Sequence, residues 1–175
     1  SGAGAFGAWT PHHLSRSGAG VTLVDAYGPG HSRSSSGDES RILRYGYGTD
    51  EIYSRFAQRS REQWVQLDAR NGSGLSLWHS CGVLWLAPDG DAYVADTRAT
   101  LQRGGYPIEL IDNATLRARY PQIDAADVSS AILEPEGGVN MARRSIQALA
   151  SELSRAGVRV IRGRAVKPAT SGRVS

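Results

Sequence analysis

The sequence predicts a mixed α/β fold, and three observations carry that prediction. The chain opens on Gly2-Ala3-Gly4-Ala5-Phe6-Gly7, which runs into a helix-like stretch and then into the apolar run Val21-Thr22-Leu23-Val24 ending on Asp25. A second helix-then-strand unit follows late in the chain, where Ile146, Leu149, Ala150 and Leu153 have helical spacing and Val158-Arg159-Val160-Ile161 reads as a strand. Between the two units lie shorter apolar runs and helical stretches punctuated by glycine and proline.

The opening unit has the order that an adenine dinucleotide requires. Glycines at positions 2, 4 and 7 let backbone approach a pyrophosphate, and the helix that follows offers free N–H groups and positive potential. A carboxylate at the end of the next strand, here Asp25, accepts hydrogen bonds from a ribose. A Rossmann-like lobe also needs a buried strand in front of the first glycine, and only Ser1 precedes Gly2. The lobe is therefore expected to be truncated, its first strand missing, and the chain cut at both ends.

Composition bounds the alternatives. With 175 residues, 40% apolar and 21% charged, the chain is globular in type and fills one sizeable core or two small ones. The formal charge is +3, and arginine is spread from Arg16 to Arg173 with acids between, so no like-charge block marks a nucleic-acid or membrane surface. Cys81 is the single cysteine, which excludes an internal disulfide and points to a reducing, cytoplasmic setting; in Cys81-Gly82-Val83-Leu84-Trp85-Leu86 it reads as a small buried residue of a strand. His12 and His13 are adjacent, point in different directions on a helix, and read as solvated surface residues rather than metal ligands.

The remaining elements follow from local signals. Ala26 to Ser40 reads as a long loop that starts beside the cofactor crevice. Thr49 or Asp50 caps a helix through Arg70 with Gly72 as its stop, and Ile52, Phe56, Trp64 and Leu67, joined by Tyr53 and Ala57, form an aromatic-rich face expected to pack in the core. Leu75 to Leu86 reads as extended, Asp91 to Arg103 as helical, Tyr106 to Ile111 as a short strand and Thr115 to Tyr120 as one or two helical turns. Asn140 is the expected N-cap of the late helix and Gly157 its stop, while Pro11 inside the first helix removes one backbone hydrogen bond at a cost of about 3 kcal/mol and is expected to kink it. Residues 1–75 and 137–175 are assigned to one nucleotide-binding lobe, and 76–136 to an excursion into another.

The segment Ser34-Ser35-Ser36-Gly37-Asp38-Glu39-Ser40-Arg41-Ile42-Leu43-Arg44-Tyr45-Gly46-Tyr47-Gly48 narrows the reading. Arg41 and Arg44 flank an Ile-Leu pair, so two guanidinium groups are expected near buried surface, where they need anionic partners. A structural ion pair with Asp38, Glu39 or a distant acid is one solution; one arginine on a cofactor and one on a substrate carboxylate is the other. Here the chain resembles the monomeric sarcosine oxidase and N-methyl amino acid oxidase branch of the FAD-dependent amine and amino acid oxidases. GAGAFG, VTLVD, SSSGDESRILRYGYG, CGVLWLA and the stretch from Gly157 to Val166 carry the resemblance, which reaches the N-terminal half of such an enzyme.

The resemblance implies an α/β architecture with an FAD-binding lobe interrupted by part of an antiparallel substrate-binding lobe. Gly2, Gly4 and Gly7, with Ala5 and Phe6 between them, would line the FAD pyrophosphate; Asp25 and Ala26 would meet the adenosine ribose, and Ser34 and Ser35 the phosphates or the flavin. Arg41 would lie against the isoalloxazine, Arg44 would grip the substrate carboxylate, and Val166, in the strand after the second helix, would contact adenine through its backbone. The family's flavin-linking cysteine and oxygen-activating lysine belong to its C-terminal half. Where sarcosine oxidases show a histidine and GDTR, this chain has Ser36 and GDESR, one residue longer. The implied activity of the whole enzyme is oxidation of the C–N bond of a small secondary or N-methyl amino acid, with electrons passing to O2 and giving H2O2. A nicotinamide-dependent or oxygen-independent flavin dehydrogenase, and a non-catalytic remnant, are the rival readings.

Overall fold

A computed structural model describes residues 2–166. In chain order the elements are α1 (Ala5–Arg16), β1 (Thr22–Asp25), β2 (Arg41–Leu43), α2 (Glu51–Arg70), β3 (Trp78–His79), β4 (Val83–Ala87), α3 (Ala92–Arg103), β5 (Glu109–Asp112), α4 (Asn113–Arg119), β6 (Ser130–Glu134), β7 (Gly138–Asn140), α5 (Ala142–Arg155) and β8 (Arg159–Arg162). They fall into two compact units: the described parts of Ser1–Glu39 and Ala142–Ser175 form one, and Ser40–Met141 the other. This division places residues 40–75 with the excursion, whereas the sequence expectation keeps them in the nucleotide-binding lobe.

In the first unit β1 and β8 pair in parallel, with Thr22 opposite Arg159 and Asp25 opposite Arg162. Parallel pairing requires a long crossover, and α1 and α5 pack together beside the strands. Helix α5 is amphipathic by the expected residues: Ile146, Leu149, Ala150 and Leu153 are all buried, with Ala142 and Ser145 completing the stripe. Helix α1 continues through Pro11, which is itself buried. His12 is buried as well, with its Nδ1 3.8 Å from the Glu152 carboxylate on α5, so the expected surface placement holds for His13 alone. A helix face that must meet α5 buries every third or fourth residue, and position 12 falls on that face with Ala8.

The second unit contains two antiparallel sheets, ordered β2-β7-β3 and β4-β6-β5. Tyr45, Ala57, Leu101 and Tyr106 form one buried cluster, and Ile111, Leu116, Ala125 and Ala131 a second. Helix α3 begins as the sequence indicates and α4 two residues before the expected Thr115, with the Asp91 and Asp112 carboxylates accepting from the N–H groups of Val94 at 2.9 Å and Thr115 at 2.7 Å. Hydrogen bonds from the Thr115 N–H and hydroxyl hold the Asp112 carboxyl below its ordinary range.

Several expectations are corrected here. The buried positions of α2 are Ser54, Ala57 and Leu67, while Ile52, Tyr53 and Phe56 are exposed. Small residues at 54 and 57 allow closer packing than the aromatic face would. Cys81 is exposed and lies between β3 and β4, where Gly82 adopts φ +76 and turns the chain. Asn140 ends β7, opposite both Arg41 and Trp78, two positions before the first residue of α5. Strands β6 and β7 have no counterpart among the expected elements.

Candidate functional site

Two sets of side chains carry the chemistry singled out in the sequence, one in each unit. In the first unit the glycine loop enters α1 through Gly4, in extended conformation (φ −84, ψ −169), and the N-cap residue itself makes no side-chain cap bond. The Asp25 carboxylate is the latch of this loop. Its Oδ2 accepts from the N–H of Ala3 at 2.7 Å, and its Oδ1 accepts from Tyr27 and Gly28, both at 2.7 Å. Burial pushes the Asp25 carboxyl up, but the three backbone donors and the nearby His31 outweigh it, so the group lies below its ordinary value and is anionic at neutral pH. With about four lone-pair sites on a carboxylate and three engaged, one is left for a ribose hydroxyl.

Glycine is needed where this latch is tight. A Cβ on Gly2 would stand 2.7 Å from Asp25 Oδ2, and one on Gly4 would face the Ser34 and Ser36 hydroxyls at 3.6 and 3.7 Å. Ser36 Oγ accepts from the Ala5 N–H at 3.1 Å, and its own N–H donates to Ser34 Oγ at 3.0 Å, so the serine loop is folded onto the start of α1. From α5, Arg143 donates two bonds to the Gly37 carbonyl at 2.9 and 2.7 Å and its N–H reaches the Asp38 carbonyl at 3.1 Å. A Cβ on Gly37 would collide with the His31 carbonyl and lie 2.9 Å from Ser32 Cα. Gly37→Ala is therefore expected to displace the serine loop, lower the melting temperature of the whole protein by the equivalent of about 1–3 kcal/mol and reduce its flavin content. Thermal unfolding with flavin quantitation checks it, and wild-type values for both reject the close packing.

In the second unit Arg44 is half-buried. Its guanidinium lies 4.4 Å from the Trp85 ring centroid and 4.9 Å from that of Tyr47, and Nη1 donates to the Gly46 carbonyl at 2.6 Å. Arg44 makes no ion pair among the described residues, so the alternative of a structural pair with Asp38 or Glu39 is not what holds it. Tyr45 between the arginine and Gly46 is fully buried, its hydroxyl 3.1 Å from the Glu136 carboxylate. Burial above all, then Glu136 against the opposing Arg61, pushes this phenol up, so it is a protonated donor.

The sequence-derived residues are thus distributed unevenly. Gly2, Gly4, Ala5, Gly7, Asp25, Ala26 and Ser34 gather at the loop, with Ser35 on the exposed side of the same turn. Phe6 is 94% exposed at the start of α1, which presents its ring away from the unit. Arg41 begins β2 in an exposed position, its Nη1 donating to the Ser40 carbonyl at 3.0 Å, so buried surface surrounds only one of the two arginines. Val166 lies beyond β8 and is 80% exposed, not in the strand itself. Ser36, Gly37 and Arg143 were not singled out as site residues. Ser36 belongs to the loop itself, whereas Arg143 reaches it from α5.

The chain is 28% identical over 160 residues to the N-methyl-L-tryptophan oxidases of Yersinia pestis (strain Pestoides F) and Yersinia pseudotuberculosis serotype O:3 (strain YPIII), a match covering 91% of this chain and 43% of each relative. It therefore spans less than half the length of the curated relatives it matches. Among solved structures it resembles L-proline dehydrogenase from P. horikoshii (TM-score 0.79, 22% identity, 91% of this chain and 42% of that one). Glycine oxidase from Geobacillus kaustophilus is similar in fold too (TM-score 0.77, 20% identity, 91% and 44%). The family model for FAD dependent oxidoreductases matches residues 2–174, nearly the whole sequence, and the chain belongs to that family.

Proposed function

We propose that the whole protein oxidises the C–N bond of a small secondary or N-methyl amino acid, with FAD as cofactor and molecular oxygen as electron acceptor, in a cytoplasmic setting. The observation that carries this reading is Arg44: a guanidinium held between two aromatic rings, with no ion pair among the described residues, retains its full charge for a carboxylate. Similarity to N-methyl-L-tryptophan oxidases supports an N-methylated substrate. The loop fits the cofactor, because the start of α1 behind the side-chain-free Gly4 and the glycine cradle beneath Asp25 suit a diphosphate and a ribose.

In this reading Gly2 to Gly7 receive the pyrophosphate, Asp25 and Ala26 the ribose, and Ser34 and Ser35 the phosphates. Arg44 anchors the carboxylate, Arg41 supplies a second cation, and the Val166 backbone meets the adenine. FAD, when bound, supplies the acceptor for the two electrons leaving the C–N bond. Oxidation of an N-methyl group followed by hydrolysis of the imine consumes one water and one O2 and yields the primary amine, formaldehyde and H2O2. Anaerobic mixing of the full-length protein with N-methyl amino acids is expected to bleach its yellow colour, and air to restore it with one H2O2 per turnover. Recovery only with a non-oxygen acceptor, or no bleaching with any amino acid, rejects the oxidase assignment.

A further inference from the structure

We propose that Glu134 is the positioning residue of the Arg44 anion site, acting through the indole of Trp85 and the backbone of residues 45 and 46. The inference rests on the proposed role of Arg44 and assigns a further residue to that site.

Glu134 ends β6 and is fully buried, yet among the described residues its carboxylate pairs with no arginine. Instead it gathers three neutral donors. Oε1 accepts from Trp85 Nε1 at 2.6 Å and from the Gly46 N–H at 3.1 Å, and Oε2 accepts from the Tyr45 N–H at 2.5 Å. Each of these donors belongs to a group that defines where Arg44 stands. Trp85 provides the ring under its guanidinium, and Gly46 provides the carbonyl that its Nη1 donates to. Tyr45 is the next residue of the chain, so its N–H belongs to the peptide that carries the Arg44 carbonyl.

The arrangement is tight. A Cβ on Gly46 would lie 2.6 Å from Thr97 Cγ2, 2.8 Å from Trp85 Cζ2 and 3.1 Å from Glu134 Oε1, so no side chain fits between this peptide and the indole and carboxylate beside it. Two physical consequences follow. An anionic acceptor on the indole N–H pushes electron density toward the ring face, which strengthens its hold on a guanidinium. Because the carboxylate is turned to neutral donors, it fixes the arginine without neutralising it, and the positive charge stays available to an anion. A direct ion pair would hold Arg44 equally still and compete with the ligand.

The test uses the full-length, FAD-loaded protein and a matched pair of probes, phenylacetate and its neutral isostere phenylacetamide, titrated by calorimetry alongside flavin content and melting temperature. Wild type is expected to bind the carboxylate at least tenfold more tightly than the amide, and Arg44→Gln to abolish the difference. Failure of either result rejects the Arg44 reading itself, and the Glu134 role with it. Given that preference, Glu134→Gln, which replaces one acceptor oxygen by a donor, is expected to cut the carboxylate-to-amide ratio at least fivefold with flavin content unchanged. A wild-type ratio in folded Glu134→Gln overturns the inference while leaving Arg44 in place. If that variant does not fold, Trp85→Phe decides: it keeps the ring face and removes the N–H, and is expected to lower the ratio at least threefold, whereas an unchanged ratio overturns the proposal.

Discussion

Asp25→Ala in the whole protein is expected to leave less than a tenth of the wild-type flavin after gel filtration. The carboxylate holds three backbone N–H groups that come from both sides of the cradle, Ala3 from the glycine loop and Tyr27 and Gly28 from the turn after β1. Hydrogen bonds to a charged group contribute about 1.5–3 kcal/mol each, so losing even one bond's worth of order in the loop lowers cofactor affinity by about tenfold or more. The pH dependence has a defined sign. The folded carboxyl sits below its ordinary value, so the latch is complete above the unfolded pKa of about 3.9 and is lost as pH falls through the lower, folded value. Flavin release, followed by the rise of free-flavin fluorescence, is expected only under strongly acidic conditions in wild type. Asp25→Asn, with no carboxyl to titrate, is expected to be weaker at neutral pH and to lack that acid step. Wild-type flavin content in Asp25→Ala rejects the latch.

Arg44→Ala is expected to raise KM for carboxylated amines by about a hundredfold, the scale set by the roughly 2–5 kcal/mol lost when one member of a hydrogen-bonded charge pair is truncated. Flavin content is expected to stay at the wild-type level, because the hydrogen bond and ring contacts of Arg44 all remain within Ser40–Met141. Arg44→Lys keeps the charge but loses the planar fork and the stacking on Trp85, so its KM is expected to fall between the two. Steady-state kinetics on a carboxylated substrate and its decarboxylated analogue separate the effects. A KM unchanged for the carboxylated substrate rejects Arg44 as the anion anchor.

What could be read from the sequence depended on how far the relevant partner lies along the chain. Helices α3 and α4 were legible to within two residues because their signals are local, and the Asp91 and Asp112 carboxylates act only three residues downstream. The β1 and β8 pair was legible because two helix-then-strand units repeat one pattern. Strands β6 and β7 were not, since Gly138-Val139-Asn140 has little strand propensity and is held by Arg41–Leu43 on one side and Trp78–His79 on the other. The face of α2 was only partly legible for a related reason: Ala57 and Leu67 are buried as expected, but the elements that pack against the helix select Ser54 over Ile52, Tyr53 and Phe56. In the site, the glycines and Asp25 form a local motif. Ser36, Arg143 and Glu134 gain their roles only through neighbours brought close by folding.

The bond between Arg143 and the Gly37 carbonyl spans 106 positions of sequence. During synthesis on the ribosome the glycine cradle and serine turn emerge first, but the guanidinium that locks the turn emerges only after all of Ser40–Met141 has been translated. The nucleotide cradle is consequently completed by a residue that emerges well after it, so its closure waits on the whole segment in between.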